Sequence, residues 1–165
     1  GATNTFRVLG KVAGTIVLII DVFKGWLVVN FVFLFPSINI SPELLFEYQL
    51  LFGVFAVVGH LFPVYTRFRG GKGIATLLGL LIGIHSFSAF VSCMVFITVL
   101  LVFRYVSLAS IFSAIAFPII IYFFSESSDV SLIIFSIFVP LLALSTHHKN
   151  IRRLLRGQER KIKFK

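Results

Sequence analysis

Residues 87–103, FSAFVSCMVFITVLLVF, contain no charged side chain, and after RYVS at 104–107 a second such run, LASIFSAIAFPIIIYFF, fills 108–124. A hydrocarbon core about 30 Å thick is crossed by a helix of about 20 mainly apolar residues, with a range of about 17–25. Both runs fall in that range. Neither alternates polar and apolar residues as a barrel strand would, so each is expected to be a helix that satisfies its own backbone hydrogen bonds in lipid. Working outward, similar apolar runs lie near 8–35, 44–62, 73–84 and 130–146, the third short enough to need help from its neighbour. The expected fold is an all-α, polytopic helical membrane protein with six transmembrane helices in this chain. We expect residues 1–165 to form a single integral membrane domain with a basic tail at 149–165.

Bulk composition agrees. The chain is 58% hydrophobic and 13% charged, against roughly 45–50% and about 25% in soluble domains, which excludes a water-soluble globule. Its 21 Phe exclude disorder. The lone Cys93 excludes a disulfide framework, and His60, His85, His147 and His148 lack metal-ligand spacing, so no metal is expected.

Charge orders the connections. Arg7 and Lys11, then Arg67, Arg69 and Lys72, then Arg104, then the tail from Lys149 alternate with connections whose charges are acids, Glu43 and Glu47 in one and Glu126 and Asp129 in another, with His85 alone between. Positive loops mark the cytoplasm, so both chain ends are expected there. The tail carries eight Lys/Arg against Glu159. Beside a membrane it meets anionic lipid first, and no nucleic-acid partner is expected. Deep within the spans, away from their ends, the full charges are Asp21 and Lys24, three apart on one helical face, expected to neutralise each other or to serve function directly.

The chemistry-bearing residues gather at the cytoplasmic ends in three segments. In Gly1-Ala2-Thr3-Asn4-Thr5-Phe6-Arg7, Thr and Asn offer hydrogen bonds and Arg7 a planar fork suited to phosphate. The plainer reading is a helix cap and an orienting Arg. The second segment runs from Gly59-His60 through Pro63 to Gly70-Gly71-Lys72-Gly73 and Ala75-Thr76. Glycines around a lysine at the start of a helix suit an anion cradle. It is not a nucleotide-hydrolysing P-loop, because Thr66 stands where that motif needs Gly, and Gly73 where Ser or Thr must follow the Lys. In the third segment, His147-His148-Lys149-Asn150, a helix would make His147 and Asn150 neighbours, one able to take a proton and the other to fix a hydroxyl.

Together these segments closely resemble the three motifs of the bacterial acyl-phosphate:glycerol-3-phosphate acyltransferases, the PlsY family. The second is matched nearly residue for residue, and the likeness covers essentially the whole chain. Arg104-Tyr105-Val106-Ser107-Leu108-Ala109-Ser110 looks like the family's serine-bearing cytoplasmic turn. The resemblance implies transfer of a fatty acyl group from acyl-phosphate to the 1-hydroxyl of glycerol 3-phosphate, giving lysophosphatidic acid, without cofactor or metal. It implies a bacterial plasma (inner) membrane protein, in contact with membrane lipid, whose site faces the cytoplasm. On it, Arg7 and Lys72 hold phosphate groups, and His147 and Asn150 orient and activate the attacking hydroxyl. Thr3, Asn4, His60, the Gly70-Gly71 backbone and either Ser107 or Ser110 contact substrate. The family pattern also places a Ser-Gly-Asn stretch and a seventh helix before Gly1, so this chain reads as N-terminally truncated. Arg69 stands where Lys is common. A small anion or phosphate transporter is the alternative, though its binding groups belong near the midplane rather than at the span ends. Acyl-chain preference and oligomeric state are not legible.

Overall fold

A computed structural model describes residues 1–34, 41–125 and 129–162, the side chains of 42 and 43 excepted. Phe35, Glu126, Lys163 and Lys165 lie outside the described residues, as does the side chain of Glu43. Every regular element among the described residues is a helix. The chain divides into two compact units, Gly1–Ser86 and Phe87–Lys165.

The first unit opens with α1, Ala2–Val8, and α2, Gly10–Asn30. The span expected near 8–35 starts at Gly10, and a break at Leu9-Gly10 separates it from α1; Gly10 has a φ of 87° that a residue bearing a Cβ rarely adopts. The break sets the Phe6 ring against the Cα of Gly14. In an unbroken helix those residues would be about 12 Å apart along the axis. After a 3-10 turn, Phe31–Leu34, the chain enters α3, Pro42–Leu61, then a second turn, Val64–Thr66, and α4, Ile74–Ile84. Helices α2 and α4 meet backbone to backbone. A Cβ on Gly25 would overlap the Thr76 carbonyl, and one on Gly79 the Val22 carbonyl. Such small-residue contacts let helices approach where lipid provides no hydrophobic drive. Val29, Leu77 and Leu80 fill the space around them.

The second unit holds α5, Ser86–Phe103 (whose first residue belongs to the first unit), α6, Val106–Phe124, α7, Val130–Thr146, and α8, His148–Leu155. Its centre is Phe117 of α6, fully buried and edge-on to Phe135 of α7. Helix α8 turns away from α7 by 63°, with His147 at the bend.

Among the described residues four stretches are long and apolar enough to cross a membrane, Gly10–Leu34, Leu44–Thr66, Ser86–Phe103 and Val106–Phe124, and the bent pair α7–α8 makes a fifth if counted as one span. The expected count of six transmembrane helices, the third of them short, is therefore not confirmed. Helix α4 has 11 residues, a length of about 16 Å, roughly half the hydrocarbon thickness. Only His85 separates it from α5. Phe23, Phe90 and Ile134, all exposed, show how much apolar surface the spans present. The molecule is an integral membrane helical protein.

Candidate functional site

The described structure distributes the expected site residues between the units. Thr3, Asn4, Arg7, His60, Gly70, Gly71 and Lys72 are in the first, and Ser107, Ser110, His147 and Asn150 in the second.

In the first unit Thr3, Asn4 and Arg7 are exposed on α1. Spacings of three and four put both polar residues on the face that carries Arg7. A Cβ added to Gly1 would stand 3.5 Å from the Gly71 Cα, so the two backbones pass close to one another. The first two sequence segments therefore meet.

The glycine-rich turn is built on the end of α3. The last carbonyls of a helix have no partner within it. Here the Gly70 N–H donates to the Leu61 carbonyl and the Gly71 N–H to the His60 carbonyl, each at 3.1 Å. Phe68 N–H reaches the Pro63 carbonyl, and the Thr66 hydroxyl bonds the Arg69 carbonyl at 3.0 Å. This corrects the expectation for Gly70 and Gly71. Their amides are turned inward to complete α3, and do not converge outward on an anion. What the glycines provide is proximity, because a Cβ on Gly70 would overlap two α3 carbonyls and one on Gly71 the His60 ring. The donors of this stretch that find no partner within their own helix are those of the first turn of α4, which Gly73 starts at φ 81°. Those N–H groups and the helix dipole face the same way as an anion would require. Lys72 immediately precedes them and is half-buried.

His60, expected to touch substrate, has its Nδ1 2.5 Å from the Lys24 Nζ, which also donates to Asp21 Oδ1 at 2.6 Å. The expected pairing of Asp21 with Lys24 is present, with His60 as its third member.

In the second unit a residue not named as a site candidate organises those that were. Glu159 is buried, and one of its oxygens accepts hydrogen bonds from Ser107 Oγ at 2.9 Å and Asn150 Nδ2 at 2.7 Å. Its other oxygen accepts from Arg153 Nε at 2.9 Å. Burial pushes the Glu159 carboxyl up, but the bonds from Asn150 and Ser107 and the Arg153 charge outweigh it, holding the group below the usual glutamate range. The 159–162 segment is pinned alongside by Ile162 N–H on the Arg104 carbonyl and by Lys161 over the Tyr105 ring. Since a carboxylate only accepts, Asn150 must direct its NH₂ at Glu159 and its carbonyl the other way.

Ser110 differs from Ser107. Its hydroxyl bonds back to the Val106 carbonyl of its own helix at 2.9 Å. His147 is almost wholly buried at the α7–α8 bend, with Nδ1 2.8 Å from the Ala143 carbonyl. A carbonyl only accepts, so Nδ1 carries the proton and the neutral ring has its lone pair on Nε2. Among the described residues no group of three or more His, Cys, Asp or Glu is placed to hold a metal ion.

The fold and site thus define an integral membrane helical protein with cationic and hydrogen-bonding groups at the helix ends. Comparison with known proteins is decisive about which. The sequence profile of the glycerol-3-phosphate acyltransferase family matches residues 1–157, and the chain belongs to that family. It is 41% identical over 168 aligned positions to a glycerol-3-phosphate acyltransferase of Staphylococcus haemolyticus, covering 99% of this chain and 80% of the relative. A counterpart from Staphylococcus aureus is 40% identical with the same coverage. Two crystal structures of PlsY (YgiH), an integral membrane glycerol 3-phosphate acyltransferase, share the fold at 34% identity. The glycerol 3-phosphate form superposes with a TM-score of 0.83 over 99% of this chain and 78% of that one. The lysophosphatidic acid form gives 0.81 over 99% and 79%. Membership of an acyltransferase family sets the transporter alternative aside.

Proposed function

We propose that this protein acylates the 1-hydroxyl of glycerol 3-phosphate with acyl-phosphate as donor, at the cytoplasmic face of a bacterial plasma membrane, the two units acting as one domain. The observation that carries the reading is the meeting of α1 with the glycine-rich turn. It brings the segment bearing Thr3, Asn4 and Arg7 to the turn that ends in Lys72 and the start of α4. Two cations and a helix N-terminus suit substrates that each bear a phosphate. Relatives crystallised with glycerol 3-phosphate and with lysophosphatidic acid support the acceptor and the product.

In the proposed reaction the acceptor hydroxyl attacks the carbonyl carbon of acyl-phosphate. A carbon–oxygen ester bond forms, the bond from that carbon to the bridging phosphate oxygen breaks, and inorganic phosphate leaves. His147 Nε2 takes the hydroxyl proton, its ring held by the Nδ1 bond to Ala143. Asn150 accepts a hydrogen bond from the acceptor through its carbonyl, the end turned from Glu159. Of the two serines, Ser110 suits substrate contact, because Ser107 is committed to Glu159 whereas a hydroxyl bonded to its own helix is readily redirected. Arg7 and Lys72 neutralise the phosphates, and the leaving phosphate is stabilised at the start of α4. Because acyl-phosphate is already activated, alignment of two bound substrates supplies much of the acceleration. No cofactor enters the scheme.

The test is incorporation of labelled glycerol 3-phosphate into lysophosphatidic acid by the purified protein in lipid, with acyl-phosphate or acyl-coenzyme A as donor. Product with acyl-phosphate alone is expected. Product with the coenzyme A ester alone would overturn the donor assignment, and none with either would overturn the reading.

A further inference from the structure

Asp21 and Lys24 stand on α2, one helical turn apart, and neither belongs to the site proposed above. Lys24 Nζ reaches two acceptors, Asp21 Oδ1 at 2.6 Å and His60 Nδ1 at 2.5 Å, while Asp21 lies 3.4 Å from the same ring nitrogen. An ammonium group only donates, so His60 Nδ1 must be the acceptor, and the neutral ring carries its proton on Nε2. A ring protonated at Nδ1 would set two donors against each other at the shorter contact.

The other side of that ring is where the glycine-rich turn lies. A Cβ on Gly71 would overlap Nε2 and Cε1 of His60, so the imidazole edge rests directly against the Gly71 backbone. The His60 carbonyl receives the Gly71 N–H at 3.1 Å. His60 therefore grips the residue before Lys72 through both main chain and side chain. Beyond Lys72 the stretch meets α2 itself, since Gly25, next to Lys24, lies against the Thr76 carbonyl of α4. The short stretch from Gly70 to Thr76 is thus bracketed by His60 of α3, which Lys24 holds, at one end and by Gly25 of α2 at the other.

We infer that Asp21 and Lys24 are positioning residues that act through His60, locking its ring against Gly71 and so setting where the turn presents Lys72. This rests on the acyl-transfer reading above. Charges inside a span are costly to retain. Here the two neutralise each other and leave one directed donor for a ring at the span's end.

The experiment is a double-mutant cycle on the full chain in lipid. Asp21→Asn with Lys24→Gln removes both charges together, so no stranded ion penalises insertion. In a wild-type background this pair is expected to lower kcat/KM about 10- to 100-fold, as small misplacements of a binding group do. The loss should fall chiefly on KM for a phosphate-bearing substrate. In a His60→Ala background the same pair should change kcat/KM by less than about threefold, because its route of action is gone. Equal losses in both backgrounds would overturn the proposal. Gly71→Ala, which leaves the charges alone, gives a second cycle, in which its loss of activity should be largely relieved by His60→Ala. Additive losses there would overturn it as well. A readout independent of turnover is the ¹⁵N pair of His60, expected to report a proton on Nε2 in wild type and to shift in Lys24→Met. An unshifted signal would count against the mechanism. Wild-type protein that makes no lysophosphatidic acid would instead overturn the underlying acyl-transfer reading and this role with it.

Discussion

In the first unit the buried carboxylate, Asp21, sits in a membrane span and is neutralised by Lys24 on the same helix, and the pair reaches the functional turn through the His60 ring. In the second, Glu159 follows α8 and gathers Ser107 from α6 with Asn150 and Arg153 from α8 directly onto its two oxygens. The first arrangement is balanced inside one helix before it touches the turn, so losing it should displace a loop. The second ties elements together, so losing it should unfasten them. Each unit also holds one histidine in a defined tautomer, but by opposite means. An ammonium donor puts the proton of His60 on Nε2, and a carbonyl acceptor puts that of His147 on Nδ1. Of these two, His147 is the one with a lone pair on Nε2, where a base needs it.

That contrast predicts where the largest effects fall. Lys72→Ala and His147→Gln should each lower kcat/KM about 10²- to 10⁴-fold, the range for losing a general base or a charge-stabilising group. Both variants should insert normally. Label incorporation decides, and a wild-type rate in either would remove its unit from the chemistry.

Next in size is Glu159→Ala, which strands the partners of a buried charge. It should reduce unfolding free energy by about 3 kcal/mol, given roughly 1.5–3 kcal/mol for each hydrogen bond to a charged group and incomplete additivity. The Asp21→Asn/Lys24→Gln pair should cost less stability than this, though it moves KM more. Thermal unfolding in detergent ranks the two, and the reverse order would break the comparison.

Acid should reproduce part of the same loss. The Glu159 carboxyl is held below its ordinary range in the folded protein. A depressed carboxylate binds its proton more readily in the unfolded chain, so its contribution is present above the unfolded value, about 4.3, and is lost as pH falls through the folded one. Stability should decline across that acid window in wild type and less steeply in Glu159→Gln, as unfolding measured against pH would reveal.

How far these features were readable depends on their span in sequence. The long apolar runs announce the membrane helices, and the Asp21–Lys24 spacing announces an ion pair, since both follow from helix period. The shortness of α4 was legible as well, because the apolar run near 73–84 is bounded by Gly73 and His85, where the helix stops. The inward turn of the Gly70 and Gly71 amides depends on unfilled carbonyls at the end of α3, which no local pattern records. Glu159 escaped for a related reason. Ser107 lies 52 positions away from it, and nothing in the spacing of a basic tail marks its one acid as the residue that joins two segments.

The smallest expected effects separate Ser107 from Ser110, two buried serines three apart on α6. Ser107→Ala removes a donor to Glu159, and should cost about 1.5 kcal/mol, the low end for a bond to a charged acceptor. Ser110→Ala removes a bond back to the Val106 carbonyl, a contact that slightly disfavours a helix, so its stability should change by about 0.5 kcal/mol or less. If Ser110 is the substrate contact, that silent variant is the one that loses activity, and Ser107→Ala keeps its turnover once folded. Measuring unfolding and turnover on both separates a serine that holds the second unit together from one that serves the acyl-phosphate, and activity lost with Ser107 alone would exchange the two roles.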